Sequence, residues 1–225
     1  LLCGLLLAGT AGARILDSHT EIRIAKSGEV TVTERVELQV DPRQPHSVLL
    51  RDIAAPARVL DVLRNGRPEP WELVNEGARL RIGARGKALE NGRHVYQIAY
   101  RARAQVRFLD YHDELRWNLP PADRITAEVS LPASVPARDM RVTATGGDYQ
   151  GFLRDGRAAV RSAKQPIVVT VRFPKDVVAA PELDYRGLVF VLGGLLAAAG
   201  AMFWIKAVAA QRRIATAVSL DNFTP

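Results

Sequence analysis

The stretch "VTVTERVELQV", Val30 to Val40, alternates apolar and polar residues almost without a break. Val30, Val32, Val36, Leu38 and Val40 fall on one side, and Thr31, Thr33, Arg35, Glu37 and Gln39 on the other. At a helical period those apolar residues would be spread around the axis, whereas at a period of two they form one face. The segment is therefore a strand with one dry face and one wet face. "TEIRIA" precedes it across "KSGE", which predicts a hairpin with Gly28 in the turn. Similar runs follow at "RVLDVLR", "ARLRIG", "HVYQIAYRAR", "ITAEVSL", "MRVTAT" and "IVVTVRF", with turn signals at Asn65-Gly66, Asn91-Gly92, Gly146-Gly147 and Asp155-Gly156. About seven to nine short strands with regular turns predict an all-β fold, an antiparallel β-sandwich of immunoglobulin-like architecture.

One residue interrupts the dry face. Glu34 stands between Val32 and Val36. A buried carboxylate without a partner is costly, so the sequence predicts either a structural ion pair or a β-bulge that rotates Glu34 outward. The candidate partners are Arg51 in "LLRDI" and Arg116 in "ELRWNL".

Two segments are too apolar for the surface of such a domain. "LLCGLLLAGTAGARI" has the apolar core of a secretory signal and a small-residue exit at Ala11-Gly12-Ala13, which predicts cleavage before Arg14. Lipidation at Cys3 is a weaker reading, because Leu2 is a poor residue in front of a lipidated cysteine. "LVFVLGGLLAAAGAMFWI", residues 188–205, carries no charge and has the length of a membrane-spanning helix, with Tyr185 and Trp204 at its ends. Lys206, Arg212 and Arg213 follow it, whereas mixed charges precede it, so the positive-inside bias places the C-terminal tail in the cytoplasm. The expected organisation is a signal remnant over 1–13, an extracytoplasmic β-domain over 14–180, a transmembrane helix over 187–206 and a cytoplasmic tail over 207–225. Gly193, Ala197 and Ala201 recur every four residues in the span, a spacing that lets helices approach closely.

Composition narrows the function. The net charge of +7 could suit an anionic partner, but the 31 basic residues are mostly scattered arginines, without the basic run of a nucleic-acid patch. With one cysteine, no disulfide can form within the chain and no thiolate cluster can hold a metal. No G-x-S-x-G motif is present.

The segments "ARILDSHTEIRIAKSGEVTVTERVELQV", "LLRDI", "LENGRHVYQIAYRARAQVRFLDYHDELRWNL" and "ITAEVSLP" occur in an order that resembles the YciQ-like family of predicted bacterial membrane proteins of unknown function. The resemblance covers about residues 14–180. It implies a signal peptide, an extracytoplasmic β-rich domain and then membrane helices, and it brings no catalytic residues. Two departures stand out. Arg116 occupies a position where the family usually has tyrosine, and Pro120-Pro121-Ala122 stands where a second tryptophan is usual.

"FLDYHDELRWNLPPADRI", Phe108 to Ile125, is the stretch that most invites a catalytic reading. Asp110, His112, Asp113 and Glu114 include ligand types for a divalent cation. Neighbours along an extended chain point to opposite faces, however, and no second histidine lies at metal-site spacing. The structural reading is a polar loop leading into a short strand, Leu115 to Leu119. Trp117 would fill the core, and Pro120 and Pro121 would end the pairing. Catalytic, metal and cofactor residues are therefore expected to be none, and Glu34, Arg51, Arg116 and Trp117 are structural candidates. The expected role is a membrane-anchored extracytoplasmic binding or assembly module in the bacterial envelope. It would meet a protein or glycan partner through sheet edges or the loop at residues 41–45. The alternative is a sensor or subunit of a membrane signalling or transport complex, and an envelope hydrolase ranks behind both.

Overall fold

The computed structural model describes residues 13–41, 48–84, 86–180, 198–204 and 206. The chain divides into two compact units, one ending at Pro181 and the other running from Glu182 to Pro225.

The first unit is built almost entirely of strands. The sequence hairpin forms β1 (Ala13–Ile24) and β2 (Val30–Val40), joined by a turn in which Gly28 takes a φ of 80°. Next come β3 (Leu49–Asp52), β4 (Ala57–Arg64), β5 (Arg67–Pro68), β6 (Trp71–Val74) and β7 (Arg79–Ile82). Then follow β8 (Gly92–Ala102), β9 (Val106–Phe108), β10 (Asp113–Leu119) and β11 (Arg124–Ser130). A short 3-10 turn at Ala137–Asp139 leads into β12 (Arg141–Thr145), β13 (Tyr149–Arg154), β14 (Arg157–Ser162) and β15 (Ile167–Phe173).

These strands make three sheets. The largest has the order β13-β14-β11-β1-β2-β8-β4-β5, the second β12-β15-β10-β9 and the third β3-β7-β6. One continuous core joins them, drawing Val36, Ile98 and Ile125 from the first sheet, Leu115 and Val169 from the second, and Leu80 from the third. The alternation of β2 explains its place: Val32, Val36 and Leu38 are fully buried while Thr33 and Arg35 are exposed.

The architecture corrects the expectation of an antiparallel immunoglobulin-like sandwich. The large sheet is mixed, because β1 pairs parallel with β11, Asp17 opposite Arg124 through Arg23 opposite Ser130. Since the hairpin partner β2 already holds one edge of β1, the chain covers the other edge with β11. That strand arrives from the second sheet by a crossover and runs in the direction of β1. A third sheet and strands such as β13, which lies mostly exposed, take the count beyond a simple sandwich.

In the second unit, residues 198–204 and 206 are helical. The membrane span expected at 188–205 falls largely outside the described residues, as do the signal segment at 1–12 and the tail at 207–225. Among the described residues no helix is long and apolar enough to cross a membrane.

Candidate functional site

The interruption at Glu34 is resolved in the interior. β2 keeps its register with β8 through Glu34, opposite Ile98, so no bulge turns the residue out. The bulges fall instead between Ile15 and Asp17 of β1 and between Val59 and Asp61 of β4. Glu34 Oε2 accepts from Arg51 Nε at 2.9 Å and from Arg51 Nη2 as well. Tyr100 Oη donates to Glu34 Oε1 at 3.3 Å. Both charged side chains are buried, Glu34 at 3% and Arg51 at 6% exposure. Arg51 lies on β3 and Glu34 on β2, so the pair ties the three-stranded sheet to the large one. Burial pushes the Tyr100 phenol well above its ordinary range, and the Glu34 carboxylate beside it adds to the rise. Arg116, the other candidate partner, is exposed on the opposite face of β10 from Trp117.

Trp117 is 6% exposed and shares its face with Leu115 and Leu119, both nearly fully buried. The strand starts earlier than the sequence suggested, at Asp113, and carries two buried acids into the sheet. Asp113 accepts from Lys175 Nζ at 2.7 Å. Lys175 also donates to the carbonyl of Leu109 at 2.9 Å, so it closes the loop onto β10. Glu114 accepts from Arg107 Nη1 at 2.7 Å and from Arg172 Nε at 3.3 Å. His112 Nε2 lies 4.0 Å from Glu114 Oε2, and Tyr111 is 92% exposed at the tip of the loop. Sequence reasoning identified the acids here but missed their cations: Arg172 and Lys175 lie on distant segments that only the fold brings together, and Arg107, seven residues before Glu114, is set opposite it by the β9–β10 pairing.

This constellation is a set of ion pairs. Both Glu114 oxygens face arginines and Asp113 Oδ1 faces Lys175, while Asp113 Oδ2 is buried without a hydrogen-bond partner among the described residues. Among the described residues no three of histidine, cysteine, aspartate and glutamate gather as a metal site. The hollows lie elsewhere. An open groove of about 480 Å³ runs between the β1–β2 turn at Lys26, the Pro132–Pro136 loop and the segment after β15. A second, of about 370 Å³, sits on the outer face of the large sheet beside His19, Glu21, Arg35 and Asp61. There His19 Nδ1 is 2.7 Å from Thr126 Oγ1 and Nε2 is 3.4 Å from Glu21.

The surface carries exposed apolar side chains at two sheet edges. On β6 Trp71 and Leu73 are 43% and 39% exposed, opposite the fully buried Ile82 and Leu80 of β7. They therefore extend the dry face of that sheet to its rim. On the edge strand β13 Phe152 is 46% exposed under the Arg161 guanidinium, 5.3 Å away. Neither edge was singled out from sequence, because a lone tryptophan in "PEPWELV" has no periodicity to give it away. Of the loop at residues 41–45, only Asp41 lies among the described residues.

These observations define a mostly β domain of mixed and antiparallel sheets. Its likeness to solved structures is one of fold alone. Leukotriene A4 hydrolase of yeast with bestatin bound is 12% identical over 73% of this chain and 29% of the hydrolase, with a TM-score of 0.51. The native yeast hydrolase gives 13%, 74%, 30% and 0.50. An M1 zinc metallopeptidase from Deinococcus radiodurans is 14% identical over 71% of this chain and 42% of its own, at 0.45. The chain thus spans less than half the length of each enzyme. No curated protein matches it. The family described as "Predicted membrane protein (DUF2207) N-terminal domain" matches residues 14–176, and the chain belongs to that family.

Proposed function

We propose that the domain is an extracytoplasmic binding or assembly module held at the bacterial plasma membrane by the apolar segment near its C-terminus, and that it performs no catalysis of its own. Membership of a family of predicted membrane proteins supports the membrane part of this reading. The binding part is carried by the rim of the three-stranded sheet. Trp71 and Leu73 are half exposed on a strand that pairs only with β7 among the described residues. A tryptophan on an open strand edge combines the large contact area of an interface anchor with backbone groups free to pair with a partner strand.

The experiment is capture of partners from detergent-solubilised native membranes by the full chain, by residues 14–186, and by full chains carrying Trp71→Asp or Phe152→Asp. The expected result is one protein recovered by both lengths of chain and lost only with Trp71→Asp. Recovery by the membrane-attached chain alone would favour a subunit or sensor working through its helix.

A further inference from the structure

The pairing register arranges the outward-facing residues of the large sheet in rows that cross its strands. The row nearest the end where β1 turns into β2 runs Arg154, Arg157, Ser130, Arg23, Thr31, Arg101 and Arg58, each opposite the next. Five arginines from five strands thus share one face and one level. On the four-stranded sheet the corresponding end carries Arg141 opposite Arg172, then Glu114, then Arg107. Glu29 draws Arg101 and Arg103, Glu128 draws Arg157, and Glu21 draws Arg23. Among the described residues Lys26, Arg58, Arg141 and Arg154 have no acidic partner, against Asp155 and Asp176, which have no cationic one, so positive charge is in excess at this end.

The other end differs. Three of its outward arginines are matched with acids, Arg14 with Asp123 at 2.8 Å, Arg93 with Glu37 at 2.9 Å and Arg124 with Asp17, while Arg161 lies over Phe152 and Arg67 has no acidic partner among the described residues. There the four-stranded sheet offers Thr145, Val168 and Asn118, all uncharged.

The basic end is also where the chain leaves the domain. The Ala179 N–H donates to the Lys26 carbonyl at 2.7 Å, which fixes the segment after β15 onto the β1–β2 turn. Arg23, in the middle of the row, lies three residues before Lys26, so the row passes within about 10 Å of that point. The uncharged segment starts at Leu188, nine residues beyond Ala179 and at most about 30 Å along the chain.

We propose that these arginine rows form a collar that seats the domain on anionic phospholipid headgroups, with Arg23, Arg58, Arg101, Arg154 and Arg157 facing the membrane surface. The inference rests on the anchored reading above and adds an orientation to it: the basic end faces the bilayer, and the Thr145 end faces away. Arginine suits this role, since its fork pairs with phosphate oxygens and its stem reaches past the sheet rim.

The test uses the full chain in vesicles, with Cys3→Ser so that a single introduced thiol carries a dye. Ser130→Cys marks the collar and Thr145→Cys marks the far end, and energy transfer to a headgroup acceptor reads their distances from the bilayer. In phosphatidylglycerol-containing vesicles transfer from Ser130→Cys should exceed that from Thr145→Cys by about twofold or more. The difference should shrink in pure phosphatidylcholine, in high salt, and with Arg58→Glu/Arg154→Glu, whose unchanged circular dichroism would show that the fold is kept. Equal transfer from both ends, whatever the lipid charge, overturns the collar while leaving the anchor intact. Capture of inorganic polyphosphate by these arginines with no response to lipid charge would also overturn it, in favour of a soluble polyanion. A chain that an alkaline wash strips from the vesicles overturns the anchored reading and the collar together.

Discussion

At the scale of single residues, Glu34 shows how a break in a pattern can be more informative than the pattern. Its neighbours demanded burial, and a buried carboxylate demanded a cation. The structure supplies Arg51 across the interface between two sheets and a phenol from Tyr100. Glu34→Gln leaves the Arg51 guanidinium buried without its counter-charge, so denaturant unfolding should show a loss of about 3–5 kcal/mol. Replacing both residues with apolar ones of similar volume should recover most of that loss, because neither charge then needs solvation. The identity of the partner could not be read from sequence. Arg51 and Arg116 were equally plausible until the fold turned Arg116 to the outer face.

The buried tyrosines add a pH dependence. Burial, reinforced by Glu69 and opposed by Arg64, pushes Tyr96 up to about 12. An unfolded tyrosine ionises near 10. The fold therefore favours the neutral phenol, and the stability this contributes is fully present below about pH 10 and lost as pH rises through about 12. The melting temperature should fall over that window together with the appearance of tyrosinate absorbance. Tyr96→Phe should reduce the slope of the fall.

At the scale of elements, the strands with one wet face were legible and the others were not. β2, β8, β11 and β15 alternate because each has the core on one side and solvent on the other. β13 is exposed on nearly every residue, so "YQGFLR" carries no period to read. β3, β5, β6 and β9 are too short to establish one. The parallel pairing of β1 with β11 joins segments about a hundred residues apart, and local sequence holds no record of it. β10 was legible in part. Its Leu115-Trp117-Leu119 face follows from period two, but the burial of Asp113 and Glu114 depends on cations from β9, β15 and the segment beyond β15. Trp117→Ala removes the largest side chain of that strand and should cost about 3–5 kcal/mol. Lys175→Met leaves the fully buried Asp113 without its cation and should cost about 2–3 kcal/mol, read in the same denaturation experiment.

At the scale of the whole molecule, the proposed arrangement draws on the charge distribution, the point where the chain leaves the β-domain and the apolar stretches of the sequence. The first unit carries a row of five arginines at the end where Ala179 is held to the β1–β2 turn, and exposed apolar side chains along two sheet edges. In this account the β-domain stands outside the cell, tethered by the uncharged segment at 188–205, with the tail inside. Single cysteines at Thr145 and Ser219, in a Cys3→Ser background, test that claim most directly when intact cells are treated with a membrane-impermeant maleimide. The account predicts labelling of Thr145→Cys in intact cells and of Ser219→Cys only after the membrane is opened. Labelling of Ser219→Cys in intact cells, with Thr145→Cys protected until permeabilisation, would contradict it.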